Sequence, residues 1–181
     1  MPADTHANAV QVRWDRSQAI VNLRGDPTDA GFVQAVSDAI GLPLPNGAGD
    51  CPSNGSRRIV WAGPDDWFVI GEPGAQDAIA QALRQAAGAR HHAVTDVSSG
   101  YVVLGLAGPS AREVLAQGCP LDLHPRVLAV GSSTGTHFFK AAVWLWRTGE
   151  DAFELLVRSS FAGYVTRLLD DCAVECGMIP A

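Results

Sequence analysis

The feature that most constrains the fold is an order of hydrophobic segments that occurs twice in the 181 residues. Each time, a strand is followed by a helix, a two-stranded hairpin and a second helix. We predict these elements at 19–23, 28–40, 59–61, 67–70 and 75–87 in the first half, and at 101–107, 109–117, 143–146, 153–157 and 160–176 in the second. The chain is therefore predicted to be α+β, with duplicated β-α-ββ-α halves that form a pseudo-symmetric domain.

The segment from 96 to 125 is the most sharply punctuated part of the chain. The strand at 101–107 is apolar on both alternating faces, which predicts that both faces are covered. Gly108 and Pro109 end the strand and start a helix, because Pro suits the first helical position. Gly118 is predicted to close that helix in a left-handed conformation, and Pro120 prevents its continuation. We interpret the segment as a strand–turn–helix–stop unit.

Composition excludes several classes of protein. Hydrophobic residues make up 47% and charged residues 18% of the chain, as in globular proteins, and the net charge of −6 disfavours nucleic acid or an anionic membrane as partner. No segment has the length of a transmembrane helix, and the four cysteines do not form a disulfide framework, so we expect a cytoplasmic protein. We predict a flexible tail at 1–10 and one domain at 11–181, with halves at about 11–90 and 91–181.

Several motifs carry a family resemblance. The most specific is Gly-Cys-Pro-Leu-Asp-Leu-His-Pro at 118–125, preceded by Asp-Val-Ser at 96–98 and Leu-Ala-Gly-Pro at 106–109. With Trp-Ala-Gly-Pro-Asp-Asp-Trp at 61–67 and the stretch at 153–161, they resemble the gamma subunit family of heterotetrameric sarcosine oxidase. More distantly, Thr-Gly-Glu-Asp-Ala-Phe-Glu at 148–154 is similar to a hairpin in the folate-binding domain of aminomethyltransferases, the T-protein of glycine cleavage.

The resemblance implies a role within a multi-subunit flavoenzyme. Such a complex oxidatively demethylates sarcosine to glycine, with hydrogen peroxide and a one-carbon unit that passes to tetrahydrofolate. The resemblance places FAD, FMN, NAD and tetrahydrofolate in the large alpha and beta subunits and zinc in the small delta subunit. This chain would bind none of them and would pack on the alpha subunit as a non-catalytic structural subunit.

The alternative function is a free-standing folate-binding or aminomethyltransferase-like protein. Aminomethyltransferases carry an essential aspartate in a Gly-rich turn before the hairpin, but this chain has no Asp or Glu from Leu123 through Gly149. A turn at 131–136 without a carboxylate stands in that place, within a predicted loop at 130–136. A negative charge is needed to stabilise an iminium ion, so the sequence identifies no catalytic residue.

Glu154 is the residue that the resemblance aligns with a pterin-contacting carboxylate, and a folate-like ring near it is one hypothesis. The competing interpretation is a solvated strand residue, or one paired with Arg147 or Arg158. Cys172 and Cys176 have a spacing that metal sites use, yet no histidine accompanies them, so packing is favoured. Aromatic anchors concentrate binding energy at interfaces, which makes four tryptophans candidates for partner contact. They are Trp61, Trp67, Trp144 and Trp146.

Overall fold

The fold is described from a computed structural model, which covers residues 10–175. The strands are β1 (Gln11–Asp15), β2 (Ala19–Gly25), β3 (Gly49–Asp50), β4 (Arg57–Gly63), β5 (Asp66–Gly71), β6 (His92–Asp96), β7 (Tyr101–Ala107), β8 (Ser132–Phe138), β9 (Ala141–Gly149) and β10 (Ala152–Arg158). The helices are α1 (Ala30–Ile40), α2 (Gln76–Ala87), α3 (Ala111–Gly118) and α4 (Ala162–Glu175). Cys176 and most of the predicted tail lie outside the described residues.

The strands form two antiparallel sheets. The smaller sheet has the order β4-β5-β2-β6, and the larger has the order β1-β7-β10-β9-β8-β3. In chain order the first unit is β2-α1-β4-β5-α2-β6, a β-α-β-β-α-β arrangement with the strand order of ferredoxin-like folds. The mixed α+β class is confirmed.

The second half repeats this strand order with one exchange. β7, β10 and β9 lie side by side as β2, β5 and β4 do, but the place beside β7 is taken by β1 from the start of the chain. In return, β6 from the start of the second half lies beside β2. Each half thus contributes its first strand to the other half's sheet. The element order matches the predicted duplication, while the pseudo-symmetry of the halves stays a prediction.

The two sheets pack face to face, and helices cover their outer faces. Helices α1 and α2 cover the smaller sheet through a cluster that includes Phe32, Val36, Trp67 and Leu83. Helices α3 and α4 cover the larger sheet through Val114, Leu115, Val165 and Leu169. A third cluster lies between the sheets, and its buried members are Ile20, Val60, Phe68, Ile70, Tyr101, Val103, Trp146 and Leu156. This four-layer arrangement determines which side chains can form a site.

Several local predictions are confirmed. Strand β7 is covered on both faces, because Val102, Leu104 and Leu106 join the helix-side cluster while Tyr101 and Val103 join the cluster between the sheets. Both predicted hairpins, β4–β5 and β9–β10, are present. Helix α1 ends at Gly41, which has the left-handed φ of 75° expected at a helix C-terminus.

The loop predicted at 130–136 is wrong, because residues 132–138 form strand β8. Its sequence, Ser-Ser-Thr-Gly-Thr-His-Phe, has a single apolar residue, so hydrophobic alternation cannot indicate a strand. The strand forms because Phe139 and Lys140 make a two-residue turn into β9, and pairing along β9 supplies the backbone hydrogen bonds. Residues 49–50 form the short strand β3, which pairs with the start of β8.

The prediction for Gly118 is also wrong in its physical reason. Gly118 is the last residue of α3 and does not have a positive φ. A Cβ there would lie 2.5 Å from the Phe139 ring and 2.7 Å from the Phe138 ring, so glycine is required by close approach. Pro109 precedes the helix by two residues and lies in the turn that follows β7.

Helix α4 packs one apolar face against the larger sheet. Val165, Leu169 and Cys172 are buried, which confirms packing for Cys172. Phe161 is 38% exposed because it lies in a short 3-10 turn before α4, where the helical period does not yet apply.

Candidate functional site

Glu154 lies on the inner face of β10, and its carboxylate joins the two sheets. Its Oε2 accepts a hydrogen bond of 2.7 Å from Nε1 of Trp146 on β9. The same oxygen lies 3.0 Å from a guanidinium nitrogen of Arg58, which comes from β4 in the other sheet. The guanidinium carbon also lies 4.9 Å from the centroid of the Trp146 ring, within cation–π range. We refer to these three residues as the Arg58–Glu154–Trp146 cluster.

Cys51 borders this cluster from the loop that follows β3. Burial raises the pKa of the Cys51 thiol, and the nearby positive charge of Arg58 only partly opposes this effect. The thiol is therefore neutral at neutral pH and is a poor nucleophile. Ser133 on β8 is also buried here, and its hydroxyl donates to the Asp50 carbonyl at 3.2 Å.

Neither arginine predicted as a partner of Glu154 pairs with it. Arg147 is buried and donates to three backbone carbonyls, those of Leu128, Gly149 and Glu150, at 2.6–3.0 Å. It thereby fastens the loop before β8 to the β9–β10 hairpin. Arg158 instead lies over the Tyr101 ring, 5.1 Å from its centroid. The ion pair with Arg58 corrects the expected pairing.

Sequence reasoning missed Arg58 and the structural role of Arg147. Arg58 is distant from Glu154 along the chain, and only the packing of the two sheets brings them together. A single arginine in a predicted hairpin carries no signal for such a contact. The acid-free stretch from Leu123 to Gly149 gave a partial indication for Arg147, because a buried arginine there must find carbonyl rather than carboxylate acceptors.

The site has the chemistry of a structural contact. The only carboxylate of the Arg58–Glu154–Trp146 cluster is engaged through its Oε2 by a cation and an indole N–H. Among residues 10–175, no group of three or more His, Cys, Asp or Glu side chains is arranged to hold a metal ion. The arrangement can hold two sheets together.

Two of the four tryptophans proposed as partner anchors are in the core, which corrects that prediction. Trp67 is 0% exposed and its Nε1 donates to the Pro45 carbonyl at 2.8 Å. Trp146 is 1% exposed and belongs to the cluster described above. Neither side chain can touch a partner in this conformation. The sequence could not separate them from exposed tryptophans, because alternation within a hairpin does not reveal which face a second layer covers.

Trp61 and Trp144 are half-buried and remain candidates. The Trp144 ring packs edge-on against Phe68 and Tyr101, with centroids 4.8 and 6.1 Å away, and lies beside Gly135. The Nε1 of Trp61 has no hydrogen-bond partner among the described residues. Both side chains pack on a core cluster and leave part of their surface exposed, which a partner could cover.

The family is decided by comparison with known proteins. The model of the "Sarcosine oxidase, gamma subunit family" matches residues 24–175. The chain belongs to this family. The sarcosine oxidase gamma subunit of Corynebacterium sp. (strain P-1) is 34% identical over 181 residues, covering 99% of this chain and 88% of the relative. That of an Arthrobacter species is 34% identical over 176 residues, covering 97% and 85% of the two chains.

Two solved structures contain chains whose fold is similar to that of this protein. A chain of the heterotetrameric sarcosine oxidase from Corynebacterium sp. U-96, solved with pyrrole 2-carboxylate, matches with a TM-score of 0.87 and 32% identity, covering 95% of this chain and 87% of that one. The glycine cleavage aminomethyltransferase T from Bartonella henselae matches with a TM-score of 0.65 and 18% identity, covering 92% of this chain and 46% of its own. The latter likeness shows a shared fold and no more.

No helix within residues 10–175 is both long and apolar enough to cross a bilayer.

Proposed function

We propose that this chain is the gamma subunit of a heterotetrameric sarcosine oxidase and serves as a structural subunit. The observation that carries the proposal is the similarity, along nearly the whole chain, to sarcosine oxidase gamma subunits and to a chain of a solved heterotetramer. The complex would oxidatively demethylate sarcosine to glycine, with hydrogen peroxide and a one-carbon unit for tetrahydrofolate as further products.

The geometry supports a non-catalytic role within that complex. A catalyst of one-carbon transfer needs a carboxylate near the developing positive charge. The stretch from Leu123 to Gly149 has none, and Glu154 is engaged by Arg58 and Trp146. A carboxylate whose Oε2 binds a guanidinium and an indole N–H across two sheets supports a structural role.

The partners and cofactors follow from the same proposal. Alpha, beta and delta subunits would complete the complex, and this chain would pack on alpha. FAD, FMN, NAD, tetrahydrofolate and zinc would be held by those partners. The thiols of Cys51 and Cys119 form no disulfide among the described residues, which supports a reducing, cytoplasmic setting, where disulfides are rare.

Omission of this chain from the complex tests the proposal. The four chains from the same organism would be co-expressed and purified through a tag on alpha, with and without this chain. We expect this chain to co-purify in stoichiometric amount, and we expect the purified chain alone to show no oxidation of sarcosine. Its absence from the purified complex, or sarcosine turnover by the isolated chain, would refute the structural role.

Folate binding near Glu154 stays a separate hypothesis that the aminomethyltransferase-like fold motivates. Calorimetric titration of the isolated chain with tetrahydrofolate tests it. Because the carboxylate is engaged, we expect no heat of binding up to high micromolar concentrations. Saturable heat that disappears in Glu154→Ala would instead support the alternative of a folate-binding protein.

A further inference from the structure

Strand β8 leaves one edge of the larger sheet open. On its inner side it pairs with β9 from Ser133 to Phe138. On its outer side β3 pairs only with Ser132 and Ser133, so within residues 10–175 the stretch from Gly135 to His137 has no neighbouring strand. Gly135 and His137 are both exposed. Open edges of this kind present unpaired N–H and C=O groups to any extended chain that approaches.

The hairpin geometry directs those groups outward. The two-residue turn closes on the pair Phe138 and Ala141, which a turn of this length joins by hydrogen bonds. Because hydrogen-bonded and non-bonded pairs alternate in an antiparallel ladder, the backbone groups of Gly135 and His137 point away from β9. Within the described part of the chain no hydrogen bond from the neighbouring loops reaches the N–H groups of these two residues, while the Gly135 carbonyl accepts a long hydrogen bond of 3.4 Å from the Thr134 hydroxyl.

The other sheet edges are protected. At β4, the Pro52 carbonyl accepts from the Ile59 amide at 3.0 Å, and Ser53 bridges to Arg58, so a loop covers this edge. At β6, the Val94 carbonyl accepts from the Arg84 side chain at 2.9 Å. Strand β1 carries the charged residues Arg13 and Asp15, which discourage strand addition. Strand β8 has no proline, no acidic residue and a glycine in its centre, and thus lacks such devices.

The stretch of sequence that carries this edge lacks acidic residues. No carboxylate occurs from Leu123 to Gly149, although the chain as a whole has 19 Asp and Glu. His137 and Lys140 on the β8–β9 hairpin are exposed, and so is Arg126 in the loop before β8. Large apolar side chains are exposed in the same segment of the chain, namely Val127 at 64%, Val130 at 57% and Phe139 at 37%. The carboxylate that pairing brings nearest is that of Asp50, at the far end of β8.

We propose that the open edge of β8 is a docking site for an extended segment of a partner subunit, which adds a strand to the larger sheet. The absence of carboxylates and the presence of Arg126 and Lys140 favour a segment with acidic and apolar side chains. Main-chain hydrogen bonds to Gly135 and His137 would supply affinity, and the flanking side chains would supply selectivity. The inference rests on the proposed function, because it takes the partner from the heterotetramer.

Amide hydrogen exchange in the assembled complex tests the docking site without any mutation. The wild-type chain would be compared alone and within the purified complex. We expect the amides of Gly135 and His137 to exchange at least about tenfold more slowly in the complex, because an added strand would bond them. Equal exchange in an intact complex would overturn the docking site and leave the proposed function standing. Failure of the wild-type chain to enter the complex would overturn both.

Substitutions in β8 and in the segments that flank it provide a second test of the docking site. Gly135→Pro removes an outward N–H, and Gly135→Ala is its control, because a Cβ at Gly135 lies 3.5 Å from Nε1 of Trp144, an ordinary contact. Arg126→Glu with Lys140→Glu reverses the local charge, and Arg16→Glu, on the exposed turn between β1 and β2, reverses a distant one. We expect Gly135→Pro and the local reversal each to weaken assembly at least about tenfold, and both controls to assemble normally.

Two further outcomes would overturn the proposal. The first is normal assembly of both Gly135→Pro and the double charge reversal. The second is concentration-dependent protection of Gly135 and His137 in the isolated chain, which would identify a second copy of this chain as the occupant. If Gly135→Pro does not fold, the exchange measurement on the wild-type complex decides.

Discussion

At the residue scale, the charged groups that look most functional in the sequence are used for support. Glu154 fastens one sheet to the other through Arg58 and Trp146. Arg147, buried without a carboxylate partner, is satisfied by three carbonyls and fixes the loop before β8. Buried polar groups of this kind are costly when a partner is removed, so they should be detected as losses of stability.

Removal of the Glu154 carboxylate should destabilise the fold. Glu154→Ala leaves the Trp146 N–H and the Arg58 guanidinium without an acceptor, and we expect a loss of about 1–3 kcal/mol in the free energy of unfolding. Glu154→Gln retains an acceptor oxygen and should cost about 1 kcal/mol or less. Denaturant unfolding measures both, with Asp170→Ala on the exposed face of α4 as a control expected to be neutral. Equal stability of Glu154→Ala and wild type would contradict a stabilising role of the Arg58–Glu154–Trp146 cluster.

The tryptophans should separate into core and surface classes. Trp67→Ala removes a fully buried ring, and we expect a loss of about 3–5 kcal/mol in unfolding free energy. Trp61→Ala and Trp144→Ala should cost less stability and should weaken assembly with the partner subunits, measured by co-purification and by binding affinity. If both half-buried variants assemble with normal affinity while folded, these residues are not anchors.

At the element scale, helix α3 and the β8–β9 turn are built against each other. Phe139 has a φ of 48°, which a bulky residue rarely adopts, and its amide donates to the Gly118 carbonyl at 2.7 Å. Its ring lies where a side chain at position 118 would be. The packing against Gly118 and the hydrogen bond hold the turn in this conformation.

Gly118→Ala should therefore be destabilising although it lies in a helix. The added methyl group would overlap the rings of Phe138 and Phe139, and we expect a loss of about 1–3 kcal/mol. The matched control is Gly163→Ala in α4, where nothing lies within 4 Å of the new methyl group and helix propensity should add about 0.5–1 kcal/mol. Thermal unfolding distinguishes them: the two substitutions should shift the midpoint in opposite directions, and a stabilised Gly118→Ala would refute the close approach.

Elements with a clear hydrophobic period could be predicted, and those held by pairing could not. Strand β7 and helix α2 carry their own pattern, so the sequence located both. Strand β8 has no such pattern and exists because β9 lies beside it. The family resemblance came from the exit of α3, a segment fixed by turn residues rather than by period. It predicted the fold class, but not the exchange of β1 and β6 between the sheets.

At the scale of the whole molecule, the layer between the sheets makes the free energy of unfolding depend on pH. It contains two groups that ionise at alkaline pH, Cys51 and Tyr101. Burial raises the pKa of the Cys51 thiol, and burial likewise raises the pKa of the Tyr101 phenol, with Arg158 opposing the latter shift. The candidate site could not be predicted from the sequence, because Arg58 and Glu154 are 96 positions apart and meet only when the two sheets pack together.

Stability should fall at alkaline pH. Above about pH 8.5, where an ordinary thiol ionises, the unfolded chain loses protons that the folded chain retains, so the free energy of unfolding decreases as pH rises. The same argument applies to Tyr101 from about pH 10. Urea midpoints measured from neutral to alkaline pH should decline, and Cys51→Ala with Tyr101→Phe should decline less. An unchanged slope in the double variant would contradict this origin.

The role proposed for this chain is that of a non-catalytic subunit of a heterotetramer. Native mass spectrometry of the four co-expressed chains tests this role. We predict a complex that contains this 19.0 kDa chain together with the alpha, beta and delta subunits, and that loses a mass of 19.0 kDa when this chain is omitted. A complex of identical mass with and without this chain, or this chain recovered only as a free species, would contradict the account.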